Sequence, residues 1–196
     1  NREIQSTHTT PNPVSLNLLL TEMVEIGCTH CFMEVSSHSI VQNRTLGLQF
    51  KGGVFTNISH DHLDYHKTFD EYIKAKKRFF DELSSGAFAL VNSDDKNGSV
   101  MVQNTKADLY TYALKSPSDY KAKIIENEIS GLILNMDGME FYSRLIGRFN
   151  AYNLLSVFAV SQLLGEDKLQ TLRVLSDLKS VDGRFQYITG ENGPTA

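Results

Sequence analysis

The sequence has few of the features that mark secreted, membrane-spanning or nucleic-acid-binding proteins. Its 196 residues include two cysteines, four prolines and no tryptophan. No apolar run approaches the roughly 20 residues needed to cross a bilayer, and no charged start leads into an apolar, cleavable segment. With a formal net charge of -4, the chain has no basic surface that would attract a polyanion. We therefore expect a cytoplasmic protein whose partners include neither a membrane nor a nucleic acid.

The two cysteines, Cys28 and Cys31, form a C-x-x-C spacing that can indicate zinc binding or redox chemistry. Cys31 opens the apolar run 31–35, which predicts a buried strand. Side chains three positions apart on a strand point to opposite faces, so these thiols would not converge on a metal. No second C-x-x-C occurs in the sequence. We expect two reduced thiols in the core.

The order of apolar segments predicts an α/β fold in one domain that spans residues 1–196. Periodic apolar spacing with capping residues predicts helices at 14–26, 68–83, 150–164 and 168–178. Short apolar runs predict strands at 31–35, 53–58, 87–92 and 109–113. Alternating residues on either side of Asp137-Gly138 predict antiparallel strands within 122–147. We expect a mostly parallel sheet flanked by helices, together with a small antiparallel sheet.

All six histidines lie in the first third of the chain, and three of them fall within residues 60–66. This segment, His60-Asp61-His62-Leu63-Asp64-Tyr65-His66, follows the predicted strand 53–58. Ligands of open α/β sheets bind where strands reach their carboxyl ends. The cluster therefore predicts a metal or phosphate site. The alternative is a polar surface loop that happens to be rich in histidine.

Glu34 and Lys76 are charged residues placed where the pattern predicts burial. Glu34 lies in the apolar run 31–35, and a buried carboxylate needs a partner such as Mg²⁺ or, alternatively, a basic side chain. Lys76 falls in the apolar stripe of the helix 68–83. Burial lowers the pKa of a lysine, and the resulting neutral amine can add carbon dioxide to form a carbamate that binds a metal. The alternative is that Lys76 extends its ammonium group to the surface.

In the order and spacing of several motifs, nearly the whole chain resembles the central, ATP-binding domain of the Mur ligase family. The most specific are Thr-Thr-Pro at 9–11, Ser-Ser-His at 36–38 and Asp-His-Leu-Asp-Tyr-His at 61–66. They point to the branch of the family that adds a diamino acid. Further matching segments lie at 41–44, 56–58, 75–76, 149–153 and 183–185.

The resemblance implies a role for each matching residue. Glu34 and His62 would bind Mg²⁺, and Lys76 would be the carbamylated lysine that completes the metal site. The uridine-nucleotide muramoyl dipeptide would be bound by residues of the first quarter of the chain, namely Thr9, Thr10, Ser36, Gln42 and Arg44. ATP would be bound by Asn150, Asn153 and Arg184. The catalytic residues would be Lys76, His62 and Arg184.

The activity implied is an ATP-dependent ligation. UDP-MurNAc-L-Ala-D-Glu would receive meso-diaminopimelate or L-lysine through an acyl phosphate, as a step of peptidoglycan synthesis. The sequence departs from the family in one respect, because no G-x-x-x-x-G-K-[ST] phosphate loop occurs in it. The resemblance places that loop upstream of Asn1 and the amino-acid-binding domain after Ala196. We therefore expect these 196 residues alone to be inactive in ligation.

Two functions of other classes remain open at this point. A metal-dependent phosphohydrolase would use the histidines of residues 60–66 and water as the nucleophile, but it would give Gln42, Arg44 and Asn153 no role. A non-catalytic module would only hold the UDP-sugar. Within the same superfamily, folylpolyglutamate synthetase is a weaker match because it should lack the muramoyl-binding residues.

Overall fold

The computed structural model describes residues 4, 9–59, 63–179, 189–190 and 193–194. His60, Asp61, His62 and Arg184 lie outside this part of the chain, so the predictions made for them rest on the sequence. The helices are α1 (Pro13–Glu25), α2 (Ser37–Val41), α3 (Leu63–His66), α4 (Phe69–Asp81), α5 (Gly98–Met101), α6 (Arg148–Leu163) and α7 (Lys168–Asp177). The strands are β1 (Gly52–Phe55), β2 (Phe88–Asn92), β3 (Asp108–Ala113), β4 (Tyr120–Glu128), β5 (Gly131–Met136), β6 (Met139–Ser143), β7 (Thr189–Gly190) and β8 (Gly193–Pro194).

A six-stranded mixed sheet confirms the predicted α/β class. Its strands follow one another in the order β1-β2-β3-β4-β5-β6, and β7 and β8 form a separate two-stranded sheet. Strand β3 pairs with β4 in parallel, whereas β4–β5 and β5–β6 are antiparallel. The predicted antiparallel strands therefore extend the main sheet. Within the described residues, no helix is long and apolar enough to cross a membrane.

The chain divides into two compact units, and their boundaries pass through β1, β2, α5 and β3. The first unit comprises the described residues of Asn1–Gly53, Ser59–Ala89 and Val100–Asp108. The second comprises those of Val54–Ile58, Leu90–Ser99 and Leu109–Ala196. The expectation of one domain over 1–196 stays a prediction.

The first unit is built on α4, the helix with the clearest signals in the sequence. Thr68 caps its start, because the Thr68 side chain accepts a hydrogen bond from the Glu71 amide. The stripe residues Tyr72 and Phe80 are buried, and α2 packs against this helix. Burial of the stripe removes apolar surface from water, which is the dominant favourable contribution to folding. The prediction for 68–83 is confirmed to within two residues at its end.

The predicted buried strand at 31–35 is wrong. Residues 28–36 adopt no regular secondary structure, and Phe32 is 74% exposed. Cys28 and Cys31 are free and exposed, so the expectation of core thiols is wrong as well. The run has the composition of a strand but pairs with no neighbour. Apolar composition permits a strand, and pairing in the tertiary structure decides whether one forms.

In the second unit, α6 packs against β4 and β5, and α7 packs against β6 and α6. The hairpin turn is the one predicted, since Asp137 and Gly138 have φ values of 53° and 81°. Both central residues of such a turn need positive φ, which aspartate tolerates and glycine adopts freely. Leu134, Met136, Leu154 and Leu155 are almost completely buried and form the core between sheet and helices.

Candidate functional site

In the first unit, four of the residues predicted to bind substrate or metal are joined by hydrogen bonds. The Thr10 hydroxyl donates to the Glu34 carbonyl at 2.8 Å. Arg44 donates from Nη1 to the Thr10 carbonyl at 2.7 Å, and from Nε and Nη2 to Gln42 Oε1 at 2.8 and 2.6 Å. Residues 34 positions apart in sequence are thereby held in one chain of bonds. Because a guanidinium has five N–H donors, Arg44 keeps donors for an anionic ligand.

Ser36 and Thr9 are close in sequence to residues of this arrangement, Glu34 and Thr10, but take no part in its hydrogen bonds as described above. Ser36 caps α2, because its hydroxyl accepts from the Ser39 amide at 3.2 Å. Thr9 is exposed, next to the buried Thr10. The Ser36 side chain therefore has a structural task of its own, whereas Thr9 faces solvent, where a ligand could reach it.

Lys76, Glu34 and Tyr72 form what we call the Lys76 cluster. Lys76 is half-buried, and its Nζ lies over the Tyr72 ring, 5.5 Å from the centroid. Burial lowers the pKa of Lys76, and the negative charge of Glu34 opposes the shift. Glu34 itself is exposed, in contrast to its predicted burial. The structure thus brings Glu34 and Lys76 close enough for their charges to interact.

The Lys76 cluster fits a magnesium ion and a carbamate in two respects. Its partly desolvated amine is shifted toward the neutral form that reacts with carbon dioxide. Its exposed carboxylate offers the oxygen ligand that Mg²⁺ prefers. No group of three or more histidine, cysteine, aspartate or glutamate side chains suited to a metal occurs among the residues that the structure describes. A complete site would therefore need His62 and the carbamate, as the resemblance implies.

His66, which has a role in the phosphohydrolase alternative but none in the ligase interpretation, connects the substrate-binding residues to the Lys76 cluster. It is buried, its Nε2 lies 2.8 Å from Ser37 Oγ, and its ring stacks on Tyr72 with centroids 5.2 Å apart. His66 thus joins the start of α2, next to Ser36, to the ring beneath Lys76. The signal in the sequence was its position at the end of the histidine-rich segment, just before the cap of α4.

In the second unit, Asn150 and Asn153 lie on the first turns of α6. Asn150 Nδ2 donates to the Ile146 carbonyl at 2.8 Å, and Asn153 Nδ2 donates to Asn150 Oδ1 at 3.3 Å. Asn153 is exposed. The two amides share one helix face, as their spacing predicts. Asn150 does not cap the helix, since Gly147 is the N-cap and makes no side-chain cap bond.

Next to these residues lies a second group that the sequence analysis missed, the Asp94 cluster of Asp94, Tyr152 and residues 114–116. Asp94 Oδ2 accepts from the amides of Leu114 and Lys115, both at 2.9 Å, and from the Tyr152 hydroxyl at 2.8 Å. Asp94 Oδ1 accepts from the Ser116 amide at 2.9 Å. The available signal was the polar run 92–95, which begins at the last residue of the fully buried strand β2.

Opposing effects act on the carboxyl group of Asp94. Burial by itself would raise the pKa of Asp94, but the hydrogen bonds from Ser116, Tyr152 and the Lys115 amide outweigh it and hold that pKa far below its usual range. Burial and the bond to Asp94 raise the pKa of Tyr152 to about 12. At neutral pH Asp94 is therefore an anionic acceptor and Tyr152 a protonated donor.

Comparison with known families gives a match over most of the chain. The family described as Mur ligase middle domain matches residues 1–161. The UDP-N-acetylmuramoyl-L-alanyl-D-glutamate--2,6-diaminopimelate ligase of Cytophaga hutchinsonii is 61% identical over 183 residues, which are 93% of this chain and 38% of that protein. The ligase of the same name from Parabacteroides distasonis is 53% identical over 98% of this chain and 40% of its own length.

A solved structure of a UDP-N-acetylmuramoyl-L-alanyl-D-glutamate--2,6-diaminopimelate ligase has the same fold. It superimposes with a TM-score of 0.83 at 28% sequence identity, over 94% of this chain and 39% of that one. The chain thus spans about two-fifths of the length of each relative named. The similarity covers Glu34, Lys76, Asn150 and Asn153, all of which lie within residues 1–161.

Proposed function

The chain belongs to the Mur ligase family through its middle domain, and from this premise we propose that the protein containing it adds 2,6-diaminopimelate to UDP-MurNAc-L-Ala-D-Glu at the expense of ATP. The relatives named above carry this activity in their names, at up to 61% identity. Because the chain spans 38% of that relative, the activity is proposed for the complete protein. A cytoplasmic site of action follows from the same proposal.

The observation that carries the proposal is the hydrogen-bonded arrangement around Glu34 in the first unit. Arg44 and Thr10 hold the backbone beside Glu34 in place, and Lys76 lies within reach of the Glu34 charge. A ligase of this type needs an anion-binding group for the UDP-linked substrate and a carboxylate for a divalent cation. In this proposal Arg44 supplies the first of these groups and Glu34 the second, and the family resemblance selects both residues.

In the proposed reaction the γ-phosphoryl group of ATP passes to the free carboxylate of the muramoyl dipeptide, giving ADP and an acyl phosphate. The amine of the diamino acid then attacks the acyl carbon, an amide bond forms, and inorganic phosphate leaves. The physical difficulty is that a carboxylate must approach an anionic triphosphate. Mg²⁺, when bound by Glu34, His62 and the carbamate of Lys76, would neutralise the charge that develops between them.

The side chains of the chain itself have separate tasks in this scheme. Thr9, Thr10, Ser36, Gln42 and Arg44 would bind and orient the UDP-linked dipeptide. Asn150 and Asn153 would contact the adenine base through their amides, and Arg184 would pair with the phosphates of ATP. Orientation of this kind converts a bimolecular encounter into a unimolecular step, which contributes a large part of the rate enhancement of many enzymes.

The test is a ligation assay on the complete protein. ADP release should require UDP-MurNAc-L-Ala-D-Glu, ATP, Mg²⁺ and 2,6-diaminopimelate together, and L-lysine in place of diaminopimelate should support little turnover. A phosphatase assay on the same preparation distinguishes the phosphohydrolase alternative. Phosphate release from simple phosphate esters, without ligation, would refute the proposal. Binding of the UDP-linked dipeptide with no turnover in the presence of all substrates would favour a non-catalytic module.

A further inference from the structure

The polar run that begins at the end of β2, residues 92–95, holds three separate segments of the second unit. Asn92 Nδ2 donates to the Thr56 carbonyl at 2.8 Å, and Asp95 Oδ2 accepts from the Ile58 amide at 3.2 Å. Asp94 holds residues 114–116 and Tyr152. The run therefore fixes the chain where it leaves β1, where it leaves β3 and where α6 begins. The ligation scheme above assigns no role to any of its residues.

One role of Asp94 is structural, because it holds the link between β3 and β4. The link 114–119 joins β3 to β4, which run parallel, although parallel strands are normally joined by a dozen or more residues. So short a link turns back on itself and leaves amides without strand partners. Asp94 accepts from three of these amides. The same carboxylate oxygen that binds two of them also accepts the Tyr152 hydroxyl.

The bond to Tyr152 has a consequence for the face of α6 that carries Asn150 and Asn153. Tyr152 lies between these two residues in sequence, and neighbouring positions on an α-helix differ by about 100° of rotation. Holding the Tyr152 side chain in one direction therefore fixes the rotation of the first turns. Gly147 supplies no side-chain cap to this helix. Near the start of α6, the Tyr152 hydroxyl instead bonds the side chain of Asp94, in the turn that follows β2.

We propose that Asp94 is a positioning residue of the nucleotide site: by anchoring Tyr152, it holds the Asn150 and Asn153 amides at the angle that an adenine base requires. The inference rests on the proposed function, which gives these two asparagines to ATP. Hydrogen bonds to a base edge depend steeply on angle and distance. A small rotation of the first turns of α6 would therefore weaken base binding without touching the base-contacting residues themselves.

The experiment compares Tyr152→Phe with wild type in the complete ligase. The substitution removes the bonding hydroxyl and keeps the packed ring. We expect the KM for ATP to rise about fivefold, the order expected for a misaligned charge-anchored contact. The KM for the UDP-linked dipeptide should stay close to wild type, and the melting temperature should fall by only about 2–4 °C. Asp94→Asn, which keeps the shape of the side chain, should raise the KM for ATP at least as much.

Tyr142→Phe is the matched control. Its hydroxyl also donates to a group in the second unit, the Ser130 carbonyl, but this carbonyl belongs neither to α6 nor to the Asp94 cluster. This variant should keep the KM for ATP. An unchanged KM for ATP in Tyr152→Phe would overturn the inference. So would equal changes in both KM values together with a larger fall in melting temperature, because that pattern indicates only a structural role.

The two proposals fail in different ways in this experiment. A wild-type protein that shows no ATP-dependent ligation refutes the proposed function, and the positioning role with it. A wild-type protein that ligates normally, beside a Tyr152→Phe variant with wild-type kinetics, refutes the positioning role alone. The positioning role is supported if Tyr152→Phe selectively raises the KM for ATP while Tyr142→Phe keeps the wild-type KM for ATP.

Discussion

The Lys76 cluster and the Asp94 cluster each centre on one charged side chain, but the two differ in how that charge is satisfied. Lys76 faces an aromatic ring and one carboxylate, and the pKa of Lys76 is lowered because burial outweighs the attraction of Glu34. Asp94 accepts four hydrogen bonds, and these bonds hold the pKa of Asp94 low in spite of burial.

This difference separates a reactive group from a structural one. A charged group that is partly desolvated and incompletely paired is destabilised in its charged form. An ammonium group of this kind loses its proton more easily, and a carboxylate of this kind binds a cation more readily. A charge that accepts bonds from every side has little to gain from a ligand. The first pattern indicates chemistry at Lys76, whereas the second indicates that Asp94 acts by holding other residues.

The largest expected effect is the loss of ligation on replacing Lys76. Lys76→Ala in the complete ligase should lower kcat by about 100-fold or more, because the metal site would lose a ligand. Short carboxylates added to the assay should restore part of the activity by occupying the place of the carbamate. Lys74→Ala, on the exposed side of the same helix, should keep normal activity. Full activity of Lys76→Ala without rescue would make Lys76 a structural residue and remove the contrast with Asp94.

The next effect is on stability. Asp94→Ala should lower the free energy of unfolding by about 2 kcal/mol, because three amides and a hydroxyl lose a charged acceptor that is only partly shielded from water. Urea denaturation measures this change. Asp137→Asn is the control, since asparagine tolerates the positive φ of this turn position and the change removes only an exposed charge that pairs with Lys168 among the described residues. The comparison fails if the two variants unfold at the same urea concentration.

A smaller effect concerns the pH dependence of the Tyr152–Asp94 bond. The pKa of Tyr152 is raised to about 12 from an ordinary value of 10.0. A raised pKa of an acid means that folding favours the neutral phenol, so its stabilisation is complete below pH 10 and is lost as the pH rises through about 12. The difference in unfolding free energy between wild type and Tyr152→Phe should therefore shrink over this range.

Asp94 has the opposite pH dependence, because its stabilisation is lost as the pH falls. The pKa of Asp94 is lowered in the folded state, so the stabilisation is present above the ordinary aspartate value and declines as the pH falls below about 4. Urea midpoints of wild type and Asp94→Asn, measured from pH 7 down to pH 3, should begin to approach each other below about pH 4. A difference that stays constant over both pH ranges would show that the bond does not depend on these two charge states.

The smallest effect is expected at Cys28 and Cys31, which provide a baseline outside both clusters. Both thiols are free and exposed. The double substitution Cys28→Ser with Cys31→Ser should change the free energy of unfolding by less than about 0.5 kcal/mol. Both thiols of the native chain should also react with a disulfide reagent at the rate of a free cysteine. Slow reaction, or stabilisation by zinc, would instead place them in a buried or metal-bound site.

The sequence by itself determined the elements with strong local signals and the family. Thr68 and the apolar stripe predicted α4, the Asp137-Gly138 pair predicted the hairpin turn, and the motif order predicted the Mur ligase fold. These signals are local because capping, turn conformation and helical periodicity act over a few residues. The apolar stripe of α4 singled out Lys76 and the family resemblance singled out Glu34, and the structure brings the two within electrostatic reach.

Only the tertiary structure decided the fate of the run 31–35 and the role of Asp94. The run has the composition of a buried strand, but it stays unpaired and largely exposed, because a strand exists only where a neighbour supplies its hydrogen bonds. The bonds of Asp94 reach 20, 21, 22 and 58 positions along the chain. No local pattern encodes such distant partners, since they meet only after the sheet and α6 have packed together.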